Sequence, residues 1–193
     1  IYSKEGVEVE TVLDVPLIED LPQGFMAVRT GKRNFSWRND KPSTLTYVTA
    51  LDGGDPAVKV GYRDEMFELE APFKSNGKSI LKTINRFYNV QWGTDEVAIA
   101  YDYWWNTRNT KTYLFNPSDA SKTPIVLHDR NYQDRYSDPG GFIMERNDMG
   151  SMILTIVNNQ AFSIGDGYTK DGQFPFVDQL NLKSRKKKRV YQS

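Results

Sequence analysis

The sequence predicts an all-β chain, a partial β-propeller of about three four-stranded antiparallel blades plus part of another, and three observations predict it. Aromatic residues make up 13% of 193 residues and are mixed with 14 Gly and 9 Pro along the chain, a composition of strands and turns. In 94–116, the longest stretch free of Gly and Pro, Val97, Ile99 and Tyr101 alternate with small or polar neighbours, a period of two that reads as strand and not as helix. The chain also repeats itself: Trp37 and Trp92 lie 55 residues apart, and Met144 occupies the same position 52 residues further on.

Taken in order, Ile1-Tyr2, a turn at Ser3-Lys4-Glu5-Gly6 and the run Val7 to Leu13 read as the last two strands of an earlier blade, followed by a long non-repeat segment at 15–33 marked by Pro16, Pro22 and Gly24. This partial blade and its connection occupy 1–33. The blade at 34–87 holds Phe35 and Trp37 in its first strand, then Leu45 to Val48, Met66 to Leu69 and Ser79 to Thr83. Another, at 88–140, repeats the pattern with Val90 and Trp92, then Val97 to Tyr101, Thr112 to Phe115 and Pro124 to His128. A weaker copy at 141–193 places its strands at Gly141 to Met144, Met152 to Val157, Phe176 to Leu182 and Lys188 to Gln192. Asp52-Gly53-Gly54-Asp55, Asn76-Gly77, Asn116-Pro117-Ser118-Asp119, Pro139-Gly140-Gly141, Asp166-Gly167 and Asp171-Gly172 supply turns between them. Alternation assigns Phe35, Trp37, Leu45, Tyr47, Val90, Trp92, Val97, Ile99, Met152, Leu154 and Ile156 to the core.

Composition narrows the function. Lys and Arg (25) balance Asp and Glu (25), so the basic field of a dedicated nucleic-acid binder is missing. No cysteine and a single histidine, His128, exclude disulfide scaffolds, thiolate zinc sites and cysteine nucleophiles and leave little for histidine chemistry. Mean hydropathy is −0.62, with no apolar run near the roughly 20 residues a bilayer requires. No membrane or nucleic-acid partner and no cofactor or metal is expected. The chain begins at Ile1 without an initiator Met, which reads as a cut fragment or a mature chain; a bacterial periplasmic or exported parent is the expectation.

Four segments then carry a resemblance: Val28-Arg29-Thr30-Gly31-Lys32-Arg33-Asn34-Phe35-Ser36-Trp37-Arg38, Ala50-Leu51-Asp52-Gly53-Gly54-Asp55, Val60-Gly61-Tyr62-Arg63-Asp64, and Asp129-Arg130-Asn131-Tyr132-Gln133-Asp134-Arg135-Tyr136-Ser137-Asp138-Pro139-Gly140. In this order they resemble the propeller of bacterial and plastid glutamyl endopeptidases, members of the prolyl oligopeptidase family of serine peptidases often labelled dipeptidyl or acylaminoacyl peptidases. The resemblance implies a propeller preceding an α/β-hydrolase domain and filtering the peptides that reach a Ser-Asp-His triad. This sequence departs from the family by ending before that domain. No Gly-x-Ser-x-Gly nucleophile elbow occurs in it, so a non-catalytic gating segment of a serine peptidase is expected, its peptide substrate reached only through the missing domain. The alternative is a stand-alone propeller that binds protein or glycan.

Glutamyl specificity calls for a cation near an acidic side chain, and Arg29, Lys32, Arg33, Arg130 and Arg135 are the candidates within the recognised motifs, with structural salt bridges as the competing role for each. His128 is expected to be a partly buried, hydrogen-bonded structural residue. The run Lys183 to Arg189 reads as a solvated hairpin turn, and Asp129, Asp134 and Asp138 read as ordinary loop acids without the spacing of a calcium loop. Trp104 and Trp105 are expected to face opposite ways, and the raw ends of the blade array to favour self-association through exposed blade edges.

Overall fold

The computed structural model describes residues 1–15 and 21–193, and among them there is no helix. Pro16 lies outside the described residues. Strands β1 (Arg33–Trp37), β2 (Thr44–Ala50), β3 (Asp64–Glu70) and β4 (Lys78–Thr83) form one antiparallel sheet in chain order. A second four-stranded sheet follows with the same meander, from β5 (Arg86–Thr94) through β6 (Val97–Trp104) and β7 (Asn109–Phe115) to β8 (Ile125–Asn131). Neither closes into a barrel.

The third sheet departs from the expected register. Its strands are β9 (Gly141–Phe142), β10 (Met144–Arg146), β11 (Met152–Leu154), β12 (Ile156–Val157), β13 (Gln160–Gly165), β14 (Tyr168–Thr169), β15 (Gly172–Gln173), β16 (Phe176–Asn181) and β17 (Lys187–Gln192). Both β9 and β12 pair with β13, at opposite ends of it, and together occupy the place of one first strand. Then come β13, β16 and β17, with the β14–β15 pair as a small outlying hairpin. The second strand is therefore 160–165 and not 152–157. The cause is the turn at Asn158-Asn159, both at positive φ (52° and 59°), which reverses the chain directly after Val157. Asn is the non-glycine residue best able to hold that two-residue turn. Met152–Leu154 instead forms, with β10, a hairpin inserted into the split first strand.

The sheets stack face to face, and alternation along each strand decides which neighbour a side chain meets. In β6, Ala98 and Ala100 point to the first sheet, where they join Trp92, Tyr113 and Phe115 against Val48, Met66, Ile80 and Leu81. Ile99, between them, points the other way and packs with Leu114 and Leu154, flanked by Phe142, Met144 and Ile156 of the third sheet. Each such fully buried aliphatic or aromatic side chain contributes roughly 1.5–3 kcal/mol. Among the described residues, the N-terminal segment contributes Ile1 and Val12 to the free face of the first sheet, where Leu45, Tyr47, Leu69 and Phe73 cluster. That segment is not the expected strand pair: it makes one isolated bridge, Tyr2 with Glu8, around the turn at Ser3 to Gly6, and Val7 and Val9 stay exposed.

Of the expected core, Leu45, Tyr47, Trp92, Ile99 and Leu154 are buried and Val90, Val97 and Ile156 half-buried, but Phe35 (37% exposed), Trp37 (47%) and Met152 (43%) are not. Phe35 leaves the β1–β2 ladder at a bulge between Arg33 and Ser36. Trp37 lies on the thinly covered free face, edge-on to Phe73. Met152 belongs to the inserted hairpin.

Candidate functional site

Because the strands run up and down, both the β4–β5 and β8–β9 connections fall at one end of the stack, together with the β2–β3 and β6–β7 loops. This connection end gathers all five sequence candidates, in two groups. Arg29, Lys32 and Arg33 precede or open β1, whereas Arg130 closes β8 and Arg135 lies in the loop after it.

The first group adjoins a buried ion network. Asp52 and Asp64, both almost fully buried, face three arginines. Arg33 pairs with Asp64; Arg86 bridges Asp52 (2.8 Å) and Asp64 (3.0 Å) and donates from Nε to the Met26 carbonyl; Arg63 reaches Asp52 at 2.7 Å while its guanidinium lies 3.8 Å from the centre of the Trp104 ring. Asp64 also accepts the amide N–H of Phe87, locking the start of the second sheet to the first. Burial pushes the Asp52 carboxyl up, but hydrogen bonds from Arg86 and Arg63 outweigh it and hold the group below its ordinary value. The network explains the shared motifs in physical terms: Asp52, Arg63 and Asp64 come from the two motifs flanking the β2–β3 loop, and their work is to join sheets. Sequence reasoning noted these motifs without seeing the network; the signal was the acidic residue beside each turn.

Arg29 places Nη1 out of water with no hydrogen-bond partner among the described residues, and the Lys32 ammonium sits 5.0 Å from the centre of the Tyr47 ring. Arg130 pairs with Asp138 at 3.0 Å and donates to the Asp134 carbonyl, whereas Arg135 lies 4.5 Å from the centre of the Tyr168 ring. The structure therefore engages Arg33 and Arg130 with carboxylates and backs Lys32 and Arg135 with aromatic rings. Trp104 and Trp105 do meet different surroundings: Trp105 is exposed and sandwiched between Phe25 (5.5 Å) and Arg108 (3.9 Å).

His128 lines a small cavity of about 160 Å³ between the second and third sheets, with Ser163, Asp178 and Lys187. Its Nδ1 is buried and has no hydrogen-bond partner among the described residues, which corrects the expectation of a hydrogen-bonded histidine. Both obvious partners are engaged elsewhere: the Ser163 hydroxyl donates to the Pro139 carbonyl, and Asp178 is held by Arg189 (2.6 Å) and Lys187 (3.1 Å). Burial, helped by Lys187 and Arg130, pushes the imidazole down to about 4. The basic run forms the connection between β16 and β17, with Lys187 and Arg189 already in the strand, and Asp129 is bound by Lys111.

No family model matches the chain. Among curated proteins, the whole chain is 34% identical over 200 residues to a protein of Oryza sativa subsp. japonica and 32% identical over 201 residues to one of Arabidopsis thaliana, both named "Probable glutamyl endopeptidase, chloroplastic". The chain spans 21% of the length of each, about a fifth. It is thus homologous along its entire length to one segment of these proteins, as the four motifs led one to expect.

Proposed function

We propose that the chain is the non-catalytic propeller segment of a serine peptidase of the prolyl oligopeptidase family, which shapes and gates peptide access to a Ser-Asp-His α/β-hydrolase domain carried elsewhere in a longer polypeptide. The observation that carries this reading is the whole-chain match to a fifth of two proteins named glutamyl endopeptidases, by a chain of stacked four-stranded sheets that lacks a nucleophile elbow. The sheets are taken as blades, with units at 34–87, 88–140 and 141–193 and the remnant of another at 1–33. Contact with an acidic substrate side chain then falls to Arg135, Arg29 and Lys32, since Arg33 and Arg130 are occupied by Asp64 and Asp138.

The test is made in the full-length polypeptide. Two cysteines introduced across the first and third sheets, in a segment that has none of its own, should on oxidation lower kcat/KM for long peptides more than for a short chromogenic one. An equal effect on both substrates overturns gating. The isolated chain should remain unlabelled by a fluorophosphonate; stoichiometric labelling of one serine overturns the assignment. The same reading predicts self-association of the isolated chain, because Val157, Ile164 and Tyr191 stand exposed on the outer face of the third sheet. Light scattering across a concentration series checks this, and a strictly monomeric chain counts against it.

A further inference from the structure

The cavity at His128 lies where a bulged strand meets the inner face of the third sheet. The β7–β8 ladder slips between Thr112 and Tyr113, leaving Leu127 as an extra residue in β8. His128 then stands opposite Thr112, on the face that Leu114 and Ile125 turn to the third sheet. The facing wall is a row of cross-strand neighbours, Phe142, Ser163, Asp178 and Arg189, with the Leu180–Lys187 pair beside it. Phe142 packs against the same cluster as Leu127, which fixes this row as the inner face. Arg185 of the β16–β17 connection completes the lining of a space of about 160 Å³.

The walls are held from outside the cavity. Asn39 donates from Nδ2 to the Met152 carbonyl (2.9 Å), and its own carbonyl accepts from the Asn147 carboxamide (2.7 Å), so the β10–β11 hairpin of the third sheet is fastened across to the first. Leu154, fully buried beside Ile99, anchors the base of the hairpin.

Charge around the cavity is unbalanced. Asp178 is the one carboxylate of the lining, and Arg189 takes both its oxygens, from Nε (2.6 Å) and Nη2 (3.2 Å). Lys187 lies 3.1 Å from Asp178, but an ammonium has three donors and does not spend them all on one oxygen. Arg185 meets no carboxylate among the described residues. Three cations thus stand around one carboxylate. His128 adds an Nδ1 that is out of water and has no hydrogen-bond partner among the described residues.

We propose that this cavity binds a small monocarboxylate on a short apolar stem. Lys187 and Arg185 meet the carboxylate, the neutral imidazole offers it Nδ1–H, and Leu127, Phe142 and Leu180 surround the stem. A cavity of about 150 Å³ accepts a benzene-sized molecule, which sets the size of the ligand. Asp178 in the lining disfavours a dianion such as phosphate. A carboxylate against the ring also stabilises the imidazolium, so binding and protonation of His128 reinforce each other. The remaining charges that face the ring, Arg130 of its own strand and Asp138 beyond, are the same with and without ligand. The inference stands apart from gating and from the arginines of the connection end.

The probe is trifluoroacetate, which stays ionised through the acid range, exchanged for chloride at constant ionic strength and followed by its fluorine resonance and by the lone imidazole. Saturable binding is expected, with amide shifts at 127–128, 163, 178 and 187. At saturation the His128 midpoint should rise by about one pH unit, equivalent to about tenfold tighter binding to the protonated ring. Uncharged trifluoroethanol should bind about tenfold more weakly or worse. Arg185→Gln and Lys187→Gln, both at exposed positions, should each weaken binding about fivefold or more. Lys183→Gln, in the same basic run but outside the lining, should leave it unchanged. Displacement by propionate identifies a free acid as the source of the carboxylate, and displacement by a capped Ala-Glu-Ala peptide an acidic side chain; either supports the site. No saturable binding, equal affinity for trifluoroethanol, an equal loss in Lys183→Gln, an unmoved midpoint, or displacement by neither competitor overturns it. None of these outcomes bears on gating, which is read from the substrate-size selectivity of the full-length polypeptide.

Discussion

Trp37 and Trp92 occupy the same position in two copies of one repeat, yet Trp37 is 47% exposed and Trp92 only 2%. Each lies on the first strand of its sheet, on the face turned toward the preceding unit: Trp37 pairs across the ladder with Leu45, Trp92 with Ala98. What differs is the neighbour. Trp92 meets the full face of the first sheet and the Arg38 guanidinium, 4.4 Å from its ring centre, whereas the face that Trp37 shares with Phe73 is met, among the described residues, by Ile1 and Val12 of an N-terminal segment that forms a single isolated bridge. Burial in stacked sheets is thus a property of the pair of sheets, and a local sequence pattern specifies the face without specifying what covers it.

The largest expected difference follows directly. Trp92→Ala should cost roughly 3–5 kcal/mol in chemical denaturation, and Trp37→Ala less than about 1 kcal/mol; equal losses would break the comparison. Nearly as large is Asp64→Ala, which strands the buried Arg33 and Arg86 and should cost roughly 3–5 kcal/mol. Asp178→Ala, whose partners Arg189 and Lys187 are partly exposed and can return to water, should cost about 1–2 kcal/mol, a contrast that the same denaturation series measures.

The junction of the second and third sheets differs from the first in carrying the chain's one histidine, which titrates above the carboxylate range when unfolded. His128 faces Lys187 and Asp178 of the third sheet and Arg130 of its own strand, with Asp138 beyond, and the fold keeps it neutral down to about 4 against an ordinary 6.5. A lowered folded value means that the unfolded chain takes up the proton first. The histidine's contribution is complete above pH 6.5 and is lost as pH falls from there toward 4. NMR titration of the lone imidazole should give a midpoint near 4, and His128→Gln should flatten the pH dependence of stability in that window; a midpoint near 6.5 would remove the distinction between the junctions. The smallest effect is expected at the hairpin tip, where Asn147→Ala should cost about 1 kcal/mol and speed hydrogen exchange at Asn39 and Met152.

Sheet count, strand order and the alternating faces of β2 and β6 were legible because residues two apart share a neighbour, and that periodicity is written locally. The third unit departs from its sequence pattern at one point. Asn158-Asn159 carries neither Gly nor Pro, so the tight turn passed unnoticed, and the apolar run Met152 to Val157 looked like one strand when it is a hairpin arm followed by half of another strand. Phe35 is exposed, beside Tyr47, because a bulge shifts the alternation by one, and nothing in the sequence near Phe35 marks a bulge apart from Asn34, which takes a positive φ. The ion network was half visible: Asp52, Arg63 and Asp64 stood in recognised motifs, but Arg86 lies in none of them, and only the fold brings it between the two carboxylates.

In an array of stacked repeats each unit ordinarily touches only the next, so stability behaves as a sum of nearest-neighbour terms and an end unit can melt while the rest persists. The fastening of Asn39 to Met152 and Asn147 adds a link between units that are not adjacent. Such a link turns a linear array into a small closed circuit. Releasing the third sheet must also release the turn of the first, which draws three separate melting events toward a single cooperative one.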